Sequence, residues 1–336
     1  MKLKSVLSFA LCLVLALGVV GCTAQPAQSG STASTEATAA PAADKTFVIG
    51  ICQLVQHPAL DLATQGFKDV LTEKLGDKVS FNLQNGSGDS ATCATICNTF
   101  VSDEVDLILA NATGALQAAQ AATNKIPVLG TSVTDYGDAL GIDSFTGKTG
   151  TNISGTCDRV TEAGQAEVLK ELFPDAKKVG ILYCSAEPNS KVQAAAYREV
   201  VEAMGYTVTD FTFADSNDLA AVAQTACDES DVIYIPTDNT AASNAELINN
   251  VALNAKTPIL AGEASICKGC GVATLSISYY ELGRKTGEMA VKILTEGTNP
   301  GDMDVQFADY GKLYNPSLCE ALGIVIPEGY TDVFAE

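Results

Sequence analysis

Two runs of alternating strand and helix, alike in length and spacing, constrain this chain more than any other feature. In the first run, apolar and β-branched segments at 46–52, 79–83, 106–110 and 126–130 alternate with helical patterns at 59–74, 90–101 and 114–123. Short apolar runs spaced by helical patterns imply βαβ units and a parallel sheet. In the second run, strands at 178–184, 206–213, 231–235 and 258–261 alternate with helices at 191–204, 217–228 and 240–254. The halves share one order of elements without evident sequence identity. Between them, 134–155 is rich in Gly, Asp, Ser and Thr, which reads as the first crossing between two lobes. A strand at 272–277 and a helix at 279–294 follow, and the helix is expected to return to the first lobe. The fold class expected is α/β, with two doubly wound parallel-sheet lobes.

The N-terminus reads differently. Lys2 and Lys4 precede an apolar run at 6–20 that is too short to span a bilayer, the pattern of a secretory leader. The small residues before Cys22 resemble the lipobox of diacylglycerol-anchored lipoproteins. That resemblance implies a signal peptide at 1–22, lipid attachment at Cys22 and a lipid-anchored protein on the extracytoplasmic face of a bacterial cell membrane. Residues 23–44 are mostly Ala, Ser, Thr, Gln and Pro, too polar and small to offset the entropy of ordering, and read as a disordered linker. The formal net charge is −20, and loss of the two leader lysines makes it more negative still. Such a surface repels phosphate backbones and anionic lipid, so no nucleic acid is expected and membrane contact comes through the anchor only.

Nine cysteines remain once Cys12 and Cys22 are set aside. An odd number scattered through strands and helices is not a disulfide framework. Cys93 and Cys97 lie four apart on an expected helix, and Cys267 and Cys270 form a lone CxxC, which reads either as small buried thiols or as one local disulfide. With His57 the sole histidine, no metal and no cofactor are expected. The run Gly86-Ser87-Gly88-Asp89-Ser90-Ala91 matches GxGxxA in form but follows the second strand, so it reads as a turn and N-cap. Catalysis is not expected.

Open parallel sheets bind ligands at the carboxyl ends of their strands. That rule selects Gln53, His57, Asn111, Thr113, Thr131, Ser132 and Thr134 in lobe one. In lobe two it selects Ser185, Glu187, Asn189, Ser190, Asp238, Asn239, Thr240 and Glu263. Thr113, Thr131, Ser132 and Thr134 stand near expected helix N-termini, where N–H groups and the macrodipole favour an anion. Glu187 and Asp238 offer negative charge to a cation. An anion site facing a cation site suits a zwitterion such as an amino acid. Taken singly, each residue is equally an N-cap of the following helix; caps alone do not require two polar and complementary lobes.

The stretches 53–61 (Gln-Leu-Val-Gln-His-Pro-Ala-Leu-Asp), 185–190 (Ser-Ala-Glu-Pro-Asn-Ser), 236–240 (Pro-Thr-Asp-Asn-Thr) and 280–284 (Tyr-Glu-Leu-Gly-Arg) resemble the solute-binding lipoproteins of ATP-binding-cassette importers, in the subgroup that includes tryptophan- and tyrosine-binding members. The resemblance implies a type I periplasmic-binding-protein fold with a three-stranded hinge. Lobe one would comprise 45–150 plus 274–298, and lobe two 151–273 plus 299–336. It implies a monomer that captures a small solute between its lobes and delivers it to permease subunits, with the 187–190 and 237–240 loops touching ligand. Tyr136 stands where the family has proline, and Tyr136 and His57 are candidates for the side-chain pocket. Alternatives are a ligand-sensing lipoprotein for a signalling partner, or a binding protein for a sugar or nucleoside. The absence of Trp counts against sugar stacking.

Overall fold

The computed structural model describes residues 45–335; the expected leader, Cys22 and the linker at 23–44 lie outside the described residues. Strand β1 (Phe47–Gln53) is buried from Ile49 to its end, as in a strand covered on both faces. Helix α1 (Pro58–Leu75) starts where His57 is extended and Pro58 occupies the first turn, a position where a missing N–H costs nothing. There follow β2 (Val79–Asn85), α2 (Ser90–Ser102), β3 (Leu107–Asn111), α3 (Thr113–Ala122), β4 (Val128–Val133), the short α4 (Tyr136–Leu140) and β5 (Ile153–Cys157).

The second run comprises α5 (Glu162–Leu172), β6 (Lys178–Cys184), α6 (Pro188–Ala203), β7 (Thr207–Phe213), α7 (Leu219–Glu229), β8 (Val232–Ile235), α8 (Asn239–Ser243), α9 (Ala245–Ala255), β9 (Ile259–Ala261), α10 (Ala264–Gly269) and β10 (Ala273–Ile277). The chain ends with α11 (Tyr279–Glu296), β11 (Gln306–Phe307), β12 (Tyr310–Tyr314), α12 (Pro316–Leu322) and β13 (Thr331–Asp332). The single helix expected at 240–254 is two, because the chain breaks at Asn244.

Two sheets result. The first runs β2-β1-β3-β4-β5-β11 and the second β7-β6-β8-β9-β10-β12-β13, so five strands in each follow the same order, and only β12 runs antiparallel to its neighbour β10. Apolar clusters cover both faces of each sheet: Phe100 and Leu116 on one face of the first, Phe67 and Met289 on the other, with Phe213 and Ile266 opposite Tyr197 and Leu260 in the second. Each buried Leu, Ile or Phe contributes about 2 kcal/mol. This two-lobed α/β architecture is the expected one.

The crossings fall later than expected. Strand β5 at Ile153–Cys157 belongs to the first sheet although lobe two was expected from 151, and β10 at Ala273–Ile277 belongs to the second although lobe one was expected from 274. β11, expected in lobe two, pairs with β5. The reason lies in β5, whose Ser154 and Thr156 are polar yet buried, the Thr156 hydroxyl meeting Thr131 and Thr286. A strand that hides hydroxyls does not read as an apolar run. The chain therefore changes lobes after β5, after β10 and between β11 and β12.

The second crossing leads straight into α11, which lies along α1. A Cβ on Gly66 would overlap the Tyr280 carbonyl, and one on Gly283 the Ala63 carbonyl. Only glycine permits so close an approach of two backbones. Arg284 with Glu73 and Tyr280 with Asp69 bind the rims of this seam.

Candidate functional site

The carboxyl ends of the strands of both sheets face each other across a cleft. Its inner part is a small chamber of about 10 Å³, lined by His57, Ser132 and Thr134 from lobe one, Asn189, Thr237, Asp238, Asn239 and Glu263 from lobe two, and Asp158 and Tyr279 from the crossings. An outer chamber of about 430 Å³ adjoins it at Asn189 and Asn239. Two contacts span the cleft: His57 Nε2 to Asn239 Oδ1 at 3.2 Å, and Thr134 Oγ1 to Thr237 Oγ1 at 3.4 Å. The Asn239 amide nitrogen donates to Glu187 at 2.6 Å, which leaves its oxygen to accept from His57 Nε2–H.

The acidic side chains differ in what they already hold. Glu187 accepts from the Asn239 and Thr240 backbone N–H groups at 3.0 and 2.8 Å, from the Asn239 and Asn189 amides and from the Thr240 hydroxyl. Asp238 caps α8, accepting from Ala241 N–H at 2.8 Å and from Cys184 N–H at 2.6 Å. Burial pushes its carboxyl above the usual carboxylate range, and Glu187 beside it adds to the rise. Glu263 caps α10, accepting from the Ser265 and Ile266 N–H groups.

Asp158 is different. It accepts only from two hydroxyls, Thr134 at 3.2 Å and Tyr279 at 3.0 Å. A carboxylate has about four acceptor positions, so Asp158 keeps unused capacity, and unlike Glu187, Asp238 and Glu263 it does not cap or brace a helix N-terminus. It is 5 % exposed, and burial pushes its carboxyl up to about 6 against the pull of those two hydroxyls. In the same chamber, His57 Nδ1 and Ser132 Oγ are buried without a hydrogen-bond partner; Thr113 Oγ1 is too, but Thr113 lines neither chamber. Buried polar atoms without partners are rare. Ser132 also holds φ at +55°, a strained region for a residue with a side chain.

The remaining sequence candidates divide cleanly. Glu187 and Thr240 line the outer chamber with Asn189 and Asn239. Gln53 is tied to Asp61 and Thr64, Asn111 to Leu60 O and Thr64, Thr131 to Thr156, Ser185 to Phe213 O, and Ser190 to Asn189. These five support the walls and line neither chamber. Tyr136, a candidate for the side-chain pocket, packs instead in the core of lobe one, where its hydroxyl donates to Thr156 O. Sequence reasoning passed over Asp158 and Tyr279, while Thr237 belongs to the 237–240 loop it selected. Asp158 and Tyr279 follow the ends of β5 and β10, so the strand-end rule finds them once those strands are bounded correctly.

All nine cysteines of the described residues are free and buried, the CxxC pair included. Among the described residues no group of three or more His, Cys, Asp or Glu side chains is arranged to hold a metal ion. No helix among them is long and apolar enough to cross a membrane.

The ABC transporter substrate binding protein family matches residues 48–333. The chain belongs to that family. Its members are solute carriers rather than enzymes, and they act outside the cytoplasmic membrane. A curated relative, the tyrosine-binding protein of Clostridioides difficile (strain R20291), is 38% identical over 78% of this chain and 76% of its own. A solved structure from Streptococcus pneumonia in complex with L-Trp superposes with a TM-score of 0.80 at 33% identity, covering 84% of this chain and 97% of that one. The ligand-free, open structure of a substrate binding protein with adhesive properties from Clostridium difficile gives 0.65 at 37% identity, covering 85% and 99%.

Proposed function

We propose that this chain captures an aromatic amino acid between its lobes and presents it to the permease of an ATP-binding-cassette importer, while a lipid on Cys22 holds it at the outer face of the cell membrane. The observation that carries this reading is the polarity of the inner chamber. Asp158, with unused acceptor capacity, faces the same space as the unpartnered Ser132 Oγ and His57 Nδ1.

An ammonium group answers Asp158, since a buried carboxylate is costly until a cation joins it. His57 donates through Nε2 to Asn239, which leaves Nδ1 as a second acceptor for an ammonium N–H. The Ser132 hydroxyl is free to donate to a carboxylate, and the N-terminus of α3, whose Gly114 lines the outer chamber, adds its positive dipole end. Glu187 and Asp238 hold the 237–240 loop in shape, and Thr237 and Asn239 carry lobe two onto the solute. Capture then works by differential contact: a solute that touches both lobes stabilises the arrangement in which they meet. The relatives at 38% and 33% identity, one named for tyrosine and the other solved with L-Trp, support the aromatic class.

Thermal denaturation with each of the twenty amino acids, common sugars and nucleosides tests this. Tyrosine or tryptophan at about 100 times its Kd adds about 2.7 kcal/mol to the stability of the bound form. If the aromatic amino acids leave the melting point unmoved and a sugar or nucleoside raises it, the reading is wrong. Cys22→Ser releases the protein from the membrane if the anchor is real; a variant that stays membrane-bound refutes it.

A further inference from the structure

A further cavity, of about 370 Å³, lies where the chain passes from β10 into α11. It shares Glu263 and Tyr279 with the inner chamber of the cleft and no residue with the outer one. Its volume falls within the range of small-molecule sites. Lobe one supplies Ala59, Leu62 and Tyr280 to the wall, lobe two supplies Ala264, Lys268 and Ile277, and Ser278 joins the two sides.

The wall is largely apolar, and most of its polar groups are already engaged. Glu263 accepts from the Ser265 and Ile266 N–H groups and from the Ser265 hydroxyl. Ser278 Oγ accepts from Glu281 N–H, and the Tyr280 hydroxyl donates to Asp69. Lys268 is the exception. It is half-buried in the last turn of α10, and its ammonium enters no ion pair or hydrogen bond among the described residues. An apolar cavity with one unpaired cation in its wall complements a small anion with an apolar body, whose burial is favourable and whose carboxylate forms a charge-assisted pair. An amino acid suits it poorly: its ammonium meets Lys268 as a like charge, and Glu263, the one carboxylate of the wall, already holds three donors.

We infer that this cavity is a second binding site, for a small apolar carboxylate, and that its occupant and the cleft solute raise each other's affinity. The site stands on its own wall; the coupling rests on the reading proposed above. Ser278 lies between β10, bonded into the sheet of lobe two, and α11, packed against α1 of lobe one. A swing of the lobes therefore reshapes the cavity, and the shape described belongs to the arrangement in which His57 meets Asn239 and Thr134 meets Thr237 across the cleft. A molecule that fits it favours that arrangement, as does a solute that touches both lobes, and such coupling is reciprocal.

Titration calorimetry on the full chain, with octanoate as the probe and octylammonium as its cationic counterpart, compares the wild type with Lys268→Gln and Leu62→Asp. The first variant removes the cation and the second sets a carboxylate in the wall. Leu62 is exposed, Lys268 is half-buried and neither lines the cleft, so melting points near the wild type's are expected. Octanoate should bind the wild type, bind each variant about tenfold more weakly, and resist displacement by octylammonium. Saturating octanoate should tighten tyrosine or tryptophan binding about fivefold in the wild type and leave it unchanged in the variants. Octanoate that does not bind, or that binds both variants as well as the wild type, overturns the site. Octanoate that binds as expected but leaves tyrosine and tryptophan affinity unchanged, or weakens it, overturns the coupling. A wild-type chain that binds octanoate but neither amino acid removes the functional reading and the coupling with it, and leaves the site standing.

Discussion

Replacing Asp158 by asparagine should raise the stability of the unliganded protein and weaken ligand binding in the same variant. The two effects share one cause. Burial raises the Asp158 carboxyl from its ordinary 3.8 to about 6. At 1.36 kcal/mol per pH unit, holding that charge in the fold costs about 3 kcal/mol at neutral pH. Because the folded value lies above the unfolded one, the cost is absent below about 3.8, grows as pH rises toward 6, and is fully present above 6. Asparagine keeps the shape and an acceptor for Tyr279 or Thr134 but carries no charge. Its unliganded melting point should therefore exceed the wild type's by a few degrees at pH 7, and the difference should shrink toward zero near pH 4. An ammonium beside Asp158 favours the ionised form, so wild-type affinity should fall as pH drops through about 6 while the variant's stays flat. Removing one member of a buried charge pair costs about 2–5 kcal/mol, so binding should weaken at least about 30-fold. Differential scanning fluorimetry from pH 4 to pH 8, with and without tyrosine or tryptophan, reads both quantities. A variant that melts below the wild type at pH 7, or that binds with undiminished affinity, refutes the reasoning.

Two further outcomes follow from packing. Gly283→Val places a branched side chain against the Ala63 carbonyl, and since backbone cannot rotate away, the α1–α11 seam must open at a cost of about 3 kcal/mol; urea denaturation with a midpoint equal to the wild type's would show the seam to be soft. Iodoacetamide should label none of the nine thiols of the described residues in the folded protein and all nine in denaturant, since every one is buried and burial raises Cys319 to about 11 and Cys157 to about 12; mass spectrometry that finds a modified native thiol contradicts the packing.

The alternation of short apolar runs with helical spacing carried most of the architecture, because β-branched residues buried on two faces leave a continuous signal. β1, β3 and β6 are of this kind. β5 is not: Ile-Ser-Gly-Thr-Cys hides two hydroxyls whose partners, Met303 O for Ser154 and Thr131 and Thr286 for Thr156, are distant in sequence, so no local pattern reveals it. Losing β5 moved the crossing and hid Asp158. The loops that bear the site were legible for the same reason the strands were, since ligand loops follow strand ends. Which side chains turn into the cleft was not. Gln53, Asn111 and Thr131 occupy the right loops but bond behind the wall, to Asp61 and Thr64, to Leu60 O and Thr64, and to Thr156, while Ser132 faces the chamber through a positive φ that composition does not announce. Tyr136 reads as a pocket residue until its hydroxyl is seen paired with Thr156 O.

The glycine seam has a mechanical corollary. With α11 clamped to α1 along its first turns, and β10 bonded into the opposite sheet as far as Ile277, any swing of one half against the other at this point has only Ser278 in which to bend. Tyr279 sits on the fulcrum's near side and grips Asp158, which stands at the neighbouring fulcrum. A charge change at that carboxylate is thus felt at two pivots together.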